Sequence, residues 1–208
     1  MPQGRLFVVA GPSGAGKGTL IEELLRRYPT TWLSVSATTR PPRVGETDGV
    51  QYHFLDEERF RERARRKEFL EWAEVHGNLY GTPRDPLVEK RAQGHDVVLE
   101  IDVQGARQVR AEVPDAVTIF VLPPSLEALE ERLRGRGTEG EEERRRRLLK
   151  ALEESREKDD YDYVIVNDRL DRAVEELCAI YEKESPLRGA GKEKNGRFGT
   201  RVDEDQDR

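Results

Sequence analysis

The chain has 208 residues, with 36 Lys and Arg against 42 Asp and Glu, a net charge of −6 and a single cysteine. Charged residues, at 38%, outnumber hydrophobic ones at 35%, and no apolar run nears the ~20 residues of a bilayer span, which excludes an integral membrane protein. The negative balance argues against general nucleic-acid binding, and Cys178 alone makes no internal disulfide, so a reducing cytoplasm is the expected setting.

In chain order, the leading MPQGR is followed by an apolar stretch too short for a secretory signal. Residues 6–10 (LFVVA) are the first of several short apolar runs, followed by 33–36, 97–101, 117–121 and 163–166. Strands hydrophobic at nearly every position are buried on both faces, as in a parallel sheet. Between them Leu20, Ile21, Leu24, Leu25 and Tyr28 repeat with the helical period, as do Val109 and Val113 after Gly105. Leu126, Leu129 and Leu133 do the same after Ser125, a good N-cap. The alternation predicts an α/β fold with a doubly wound parallel core sheet flanked by helices.

Two stretches break this rhythm. From Ser36 to about Gly94 come Arg-Pro-Pro-Arg, two turn-forming glycines at Gly45 and Gly49, an alternating strand over 50–54, a charged helix from Asp56 and a second strand over 69–75. They predict a small mixed α/β insertion. The charged stretch from Arg132 to Asp160 is the second. Beyond Ser185 apolar residues nearly vanish, which predicts a disordered tail over 185–208. The expected organisation is one domain over 4–184, with a core at about 4–35, 95–125 and 160–184, an insertion at about 36–94 and a helical lid at about 126–159.

Gly11-Pro12-Ser13-Gly14-Ala15-Gly16-Lys17-Gly18-Thr19 follows the first strand and opens a helix. Glycines let backbone amides turn inward onto phosphate oxygens, the helix N-terminus adds partial positive charge, and Lys17 can reach the β and γ phosphates. The Gly11-x4-Gly16-Lys17 spacing in that context is a P-loop, and predicts a bound nucleoside triphosphate. Position 18, usually Ser or Thr, is Gly here, with the hydroxyl one residue later at Thr19. A Mg²⁺ ion accompanying ATP is therefore expected to rely on ATP oxygens and waters.

Arg40 and Arg43 lie three apart beside prolines, with Tyr52 and Tyr80 further on. Paired arginine donors and tyrosine hydroxyls suit a dianionic phosphate, although in so Arg-rich a chain two surface arginines would look the same. His53, His76 and His95 show no metal-ligand spacing.

The P-loop, Ser36-Ala-Thr-Thr-Arg-Pro-Pro-Arg-Val-Gly-Glu46, Gly49-Val-Gln-Tyr-His-Phe54, Phe69-Leu-Glu71, Gly77-Asn-Leu-Tyr-Gly-Thr-Pro83, Leu99-Glu-Ile-Asp-Val-Gln-Gly105, Arg134-Gly-Arg-Gly-Thr138 and Val166-Asn-Asp168 occur in this order. Together they resemble the bacterial-type guanylate kinases, P-loop nucleoside monophosphate kinases, from about Leu6 to Tyr181. The resemblance implies a P-loop kinase fold with a GMP-binding insertion and a lid, and transfer of the γ-phosphoryl group of MgATP to GMP, and to dGMP. It implies Glu71 accepting the guanine N1 and 2-amino donors, Ser36 donating to O6 with Thr82 as helper, and Arg40, Arg43, Tyr52 and Tyr80 on the GMP phosphate, with Glu46 orienting an arginine. Asp102 resembles the acidic residue near Mg²⁺, and equally suits a helix cap. Arg136 and Arg147 match lid arginines that join Lys17 and Arg40 in catalysis. Asn167 matches a residue near the ATP adenine, or forms a turn before Asp168. Alternation along 69–75 could also turn Glu71 outward. A non-catalytic binding module, or a kinase for another phosphorylated acceptor, remains an alternative; no nucleic-acid or membrane partner is expected.

Overall fold

The computed structural model describes residues 2–75, 77–134 and 141–185. Its elements, in order, are β1 (Leu6–Ala10), α1 (Lys17–Arg27), β2 (Trp32–Leu33), β3 (Ala37–Thr38), β4 (His53–Phe54), α2 (Glu57–Arg65), β5 (Phe69–Val75), β6 (Asn78–Pro83), α3 (Arg84–Ala92), β7 (Val97–Glu100), α4 (Val103–Glu112), β8 (Val117–Leu122), α5 (Leu126–Arg134), α6 (Glu141–Ser155), a 3-10 turn at Arg156–Asp160, β9 (Tyr163–Val166) and α7 (Leu170–Glu184). Expectations about Arg136, His76 and residues 186–208 lie outside the described residues.

Five parallel strands in the order β2-β7-β1-β8-β9 form the frame. Every residue of β1, at its centre, is at most 1% exposed. Phe7 and Val9 point into one core with Leu20, Ile21 and Leu24 of α1 and Val174, Leu177 and Tyr181 of α7. Leu6, Val8 and Ala10 point into the other, with Leu87 of α3 and Val103, Ala106 and Val109 of α4. Burial on both faces is why the sequence reads as a continuous apolar run; each large side chain contributes roughly 1.5–3 kcal/mol. At the end of the sheet away from the phosphate loop, buried Asp96 accepts from the Arg5 amide at 2.8 Å and the Tyr181 hydroxyl at 3.0 Å, which pins α7 to the sheet.

A second sheet, β4-β3-β6-β5, occupies the insertion. Its β3–β4 pair is parallel and its other pairs are antiparallel. Ala37, Phe60, Phe69 and Leu79 form its own small core, with the Phe60 and Phe69 rings stacked at 4.6 Å. Helix α4 joins the two sheets: it packs on Leu70 of β5 within the main core, and Gln108 exchanges hydrogen bonds with the Trp72 backbone on the sheet edge, at 2.8 and 3.3 Å.

Several element ends differ from the sequence expectation. The run at 33–36 splits, because the chain leaves the first sheet after β2 and pairs in the second from Ala37. The expected strand over 50–54 shrinks to His53–Phe54, since Gly45 and Gly49 adopt φ of 86° and 77° and turn the preceding segment. Helix α4 starts before Gly105, because the Asp102 carboxylate caps it by accepting from the Gly105 amide at 2.9 Å. The Ser125 hydroxyl accepts from the Ala128 amide at 3.2 Å, the expected cap of α5. Among the described residues no helix is long and apolar enough to cross a membrane.

Candidate functional site

The phosphate loop leaves the C-terminal end of β1, the usual ligand-binding edge of an open α/β sheet. Gly11, Gly14 and Gly16 have φ of 136°, 90° and 94°, a region that other residues enter only at a cost. Lys17 folds back over the loop, its ammonium donating to the carbonyls of Gly11 at 2.8 Å and Pro12 at 3.2 Å. The Ala15 carbonyl accepts from Asn167 Nδ2 at 2.8 Å and from Arg132 at 3.2 Å, and Arg132 also reaches the Asn167 carbonyl at 2.9 Å. Pro12 and Ala15 are buried, so they serve the loop through their carbonyls. Asn167 is thus a brace of the loop, and lines a second cavity of about 260 Å³ with Gly14, Gly16, Thr19, Arg132 and Leu170.

A cavity of about 580 Å³ opens in front of the loop. Gly11, Ser13, Gly14, Gly16, Lys17, Gly18 and Thr19 line one end, and Ser36, Arg40, Arg43, Glu46, Tyr52, Glu71 and Tyr80 line the other. Arg40 donates to Glu46 Oε1 at 2.8 Å, and Glu46 Oε2 accepts from the Arg43 amide at 2.7 Å. One carboxylate therefore holds the Arg40 guanidinium and the Arg43 backbone; the bond to Arg40 raises the Arg40 pKa and lowers that of Glu46. The Arg40 guanidinium lies 5.4 Å from the Tyr52 ring centre, and Tyr52 and Tyr80 meet edge to face at 5.9 Å. Burial pushes the Tyr52 hydroxyl up to about 12, so it stays a hydrogen-bond donor at neutral pH.

Glu71 depends on an irregularity. The β5–β6 register shifts between Phe69 and Glu71. Before the shift Phe69 packs on Phe60, while Leu70 joins the core shared with α4. After it, Glu71, Ala73 and Val75 face the cavity, and Trp72 is partly exposed beside Phe60. A regular strand would send Leu70 or Glu71 inward; the bulge sends both. Glu71 is 4% exposed, and Thr82, fully buried, donates to its Oε1 at 2.6 Å. Thr82 is therefore a buttress of Glu71 and does not line the cavity. Desolvation, with a smaller push from Asp102, raises the Glu71 carboxyl to about 7. Keeping it ionised above that pH costs roughly 3 kcal/mol, which a ligand presenting two donors would offset.

Asp102 caps α4, one of its two sequence alternatives, and also lines the cavity. Arg147 lines the same cavity from α6. Residues the sequence reading did not single out stand beside it. Lys150 and Glu154 follow Arg147 at helical spacing on the cavity side of α6, 3.7 Å apart. Burial raises the Glu154 carboxyl, opposed by Lys150 and Lys17. The Glu100 carboxylate ends β7 next to Gly18, where a Cβ would meet it at 3.4 Å. The signal for Lys150 and Glu154 was their spacing of three and seven residues after Arg147, masked by the surrounding charge. His53 and His95 do not line the cavity.

The family model described as Guanylate kinase matches residues 3–184. A protein named guanylate kinase from Carboxydothermus hydrogenoformans is 53% identical over 190 residues, covering 90% of this chain and 93% of that one. Another of that name, from Symbiobacterium thermophilum, is 58% identical over 179 residues, covering 86% and 85%. The crystal structure of guanylate kinase from Anaplasma phagocytophilum superposes with a TM-score of 0.72 at 34% identity, over 89% of this chain and 88% of its own. A shikimate kinase from Bacteroides thetaiotaomicron shares the fold, with a TM-score of 0.52 at 18% identity, over 86% of this chain and 99% of its own.

Proposed function

The chain belongs to the guanylate kinase family and phosphorylates GMP to GDP at the expense of ATP, and we propose that the transfer takes place in the 580 Å³ cavity, with ATP on the phosphate loop and GMP among residues 36–82. The observation that carries this reading is that both sets of residues line one continuous cavity. Glu71 accepts the two guanine donors, N1–H and the 2-amino group, and Ser36 donates to O6. Thr82 fixes the Glu71 carboxylate. Arg40, Arg43, Tyr52 and Tyr80 hold the acceptor phosphate, with Glu46 setting the arginines. Nothing in this contact set reads the ribose 2′-hydroxyl, so dGMP is an acceptor as well.

The acceptor phosphate oxygen is anionic at neutral pH and needs no general base. It forms a bond to the γ-phosphorus as the bond from that phosphorus to the β–γ bridging oxygen breaks, and ADP leaves. The protein's work is alignment and charge neutralisation. Lys17 exchanges its backbone carbonyls for phosphate oxygens, Arg40 holds the acceptor and Arg147 approaches from α6. Arg136 belongs to this set by sequence alone. Residues 126–159 act as a lid and the insertion closes toward it, which keeps water, the competing nucleophile, from the γ-phosphate.

Mg²⁺ is the proposed cofactor. Among the described residues no group of three or more His, Cys, Asp or Glu is placed to hold an ion. The donors present, Asp102 and Thr19 at the cavity wall, fit a hydrated ion carried mainly by ATP. Bound there, it neutralises charge on the β and γ oxygens. A cytoplasmic setting is proposed from the same chain's one free, buried thiol, Cys178.

A coupled ADP-release assay with MgATP and each of GMP, dGMP, AMP, CMP and UMP tests the reading. GMP and dGMP should turn over, with kcat/KM for AMP lower by at least about 100-fold. Equal use of AMP would remove Glu71 and Ser36 from base recognition.

A further inference from the structure

Gly105 is the third residue of α4, inside a regular helix and not among the residues with positive φ. Nothing in its backbone conformation asks for glycine, and alanine is the better helix former. Its surroundings explain it. A Cβ at this position would stand 2.3 Å from Oε2 and 2.9 Å from Cδ of Glu71, with Asp102 Oδ1 at 3.5 Å. Nonbonded atoms rest near ~3.5 Å, so any side chain would drive the Glu71 carboxylate back by about 1 Å. The carboxylate has no easy retreat, since it is buried and its Oε1 is tied to Thr82 at 2.6 Å. Meanwhile the Gly105 amide holds Asp102 at 2.9 Å. One glycine thus sits between the two carboxylates, gripping Asp102 with its N–H and admitting Glu71 through its missing side chain.

We propose that Gly105 is a specificity-determining residue of the acceptor site, whose bare Cα lets Glu71 lie against the first turn of α4 at the depth where its carboxylate meets both guanine donors. Gly105 touches neither substrate; it acts through Glu71, and the proposal rests on the reading of Glu71 as the guanine acceptor. Both donors must meet one carboxylate at once, so a displacement of this size falls chiefly on the second contact, to the 2-amino group.

The test compares GMP with IMP, which keeps N1–H and O6 but lacks the 2-amino group, in the wild type, Gly105→Ala, Glu71→Ala and the double variant. Gly105→Ala should lower kcat/KM for GMP by about 100-fold, the size of loss a ~1 Å misplacement brings. The preference for GMP over IMP should shrink at least about tenfold, with KM for ATP within about twofold. In the Glu71→Ala background the alanine has room, so adding it should change neither turnover nor Tm beyond the benefit of a better helix former. An unchanged GMP-to-IMP ratio in Gly105→Ala, or the same loss from that change with and without the Glu71 carboxylate, would overturn the proposal. Failure of the underlying reading looks different: Glu71→Ala by itself would leave the GMP-to-IMP ratio intact. The Tm arm of the cycle stays readable should Gly105→Ala fold poorly, because the steric account requires Glu71→Ala to rescue it.

Discussion

The two ends of the cavity are made of different material. At the phosphate-loop end, seven residues between Gly11 and Thr19 form the wall, and glycines at three positive-φ positions give it its shape. At the other end, where we place GMP, side chains from separate segments between Ser36 and Tyr80 converge on the cavity, and Thr82 buttresses one of them from behind. A backbone cradle recognises any polyphosphate. A set of side chains held by a bulge and buttressed by Thr82 is what the proposed reading of one base requires. The shikimate kinase shares the fold, and on a shared fold a set of side chains is where relatives can diverge.

Substitutions at the two ends should therefore fail in different ways. The largest effect is expected from Lys17→Met, which removes the phosphate-loop cation: kcat should fall by about 1,000-fold with the far-ultraviolet spectrum unchanged. Near-wild-type turnover would show that the loop does not serve transfer. Glu71→Ala should cost about 100-fold in kcat/KM for GMP and leave KM for ATP within about twofold; equal losses for both substrates would erase the contrast between the two ends. Gly16→Ala inverts the pattern. It combines a φ of 94° with a Cβ that would lie 2.3 Å from Asn167 Nδ2, so KM for ATP should rise by about tenfold while KM for GMP holds.

The mildest probe is pH. Burial lifts the Glu71 carboxyl from an ordinary 4.5 to about 7. Its contribution to stability is full below pH 4.5 and is lost as pH rises through 7, so the empty enzyme should melt at lower temperature at pH 8 than at pH 6, with a smaller drop in Glu71→Gln. Guanine binding runs the other way, since its donors need the carboxylate. Inhibition by guanosine, which has no phosphate to titrate, should weaken between pH 8 and pH 6, approaching tenfold per pH unit below 7. A flat profile would mean that Glu71 is ionised throughout, or does not contact the base.

The same contrast governs what could be read before the structure. The phosphate loop is legible because its parts are neighbours in sequence and each glycine has one job. The alternating cores of β1 follow as directly from five apolar residues in a row. The direction of Glu71 was legible only through the resemblance: simple alternation after Leu70 points it to solvent, and the bulge, a property of the pairing with β6, turns it inward. Asn167 sits in a turn motif, and its side-chain bond to Ala15 spans most of the chain. Lys150 and Glu154 were lost in a helix so charged that its cavity-facing side has no compositional mark.

One consequence follows from the resting position of Lys17. Its ammonium donates to the carbonyls of Gly11 and Pro12. Taking up a phosphate is therefore a swap of partners, and much of the electrostatic gain is spent on leaving the old ones. The same two carbonyls wait for the lysine when ADP departs, so the loop carries its own surrogate for the product. Such a swap would trade affinity for the nucleotide against its release, the step that limits turnover in many enzymes.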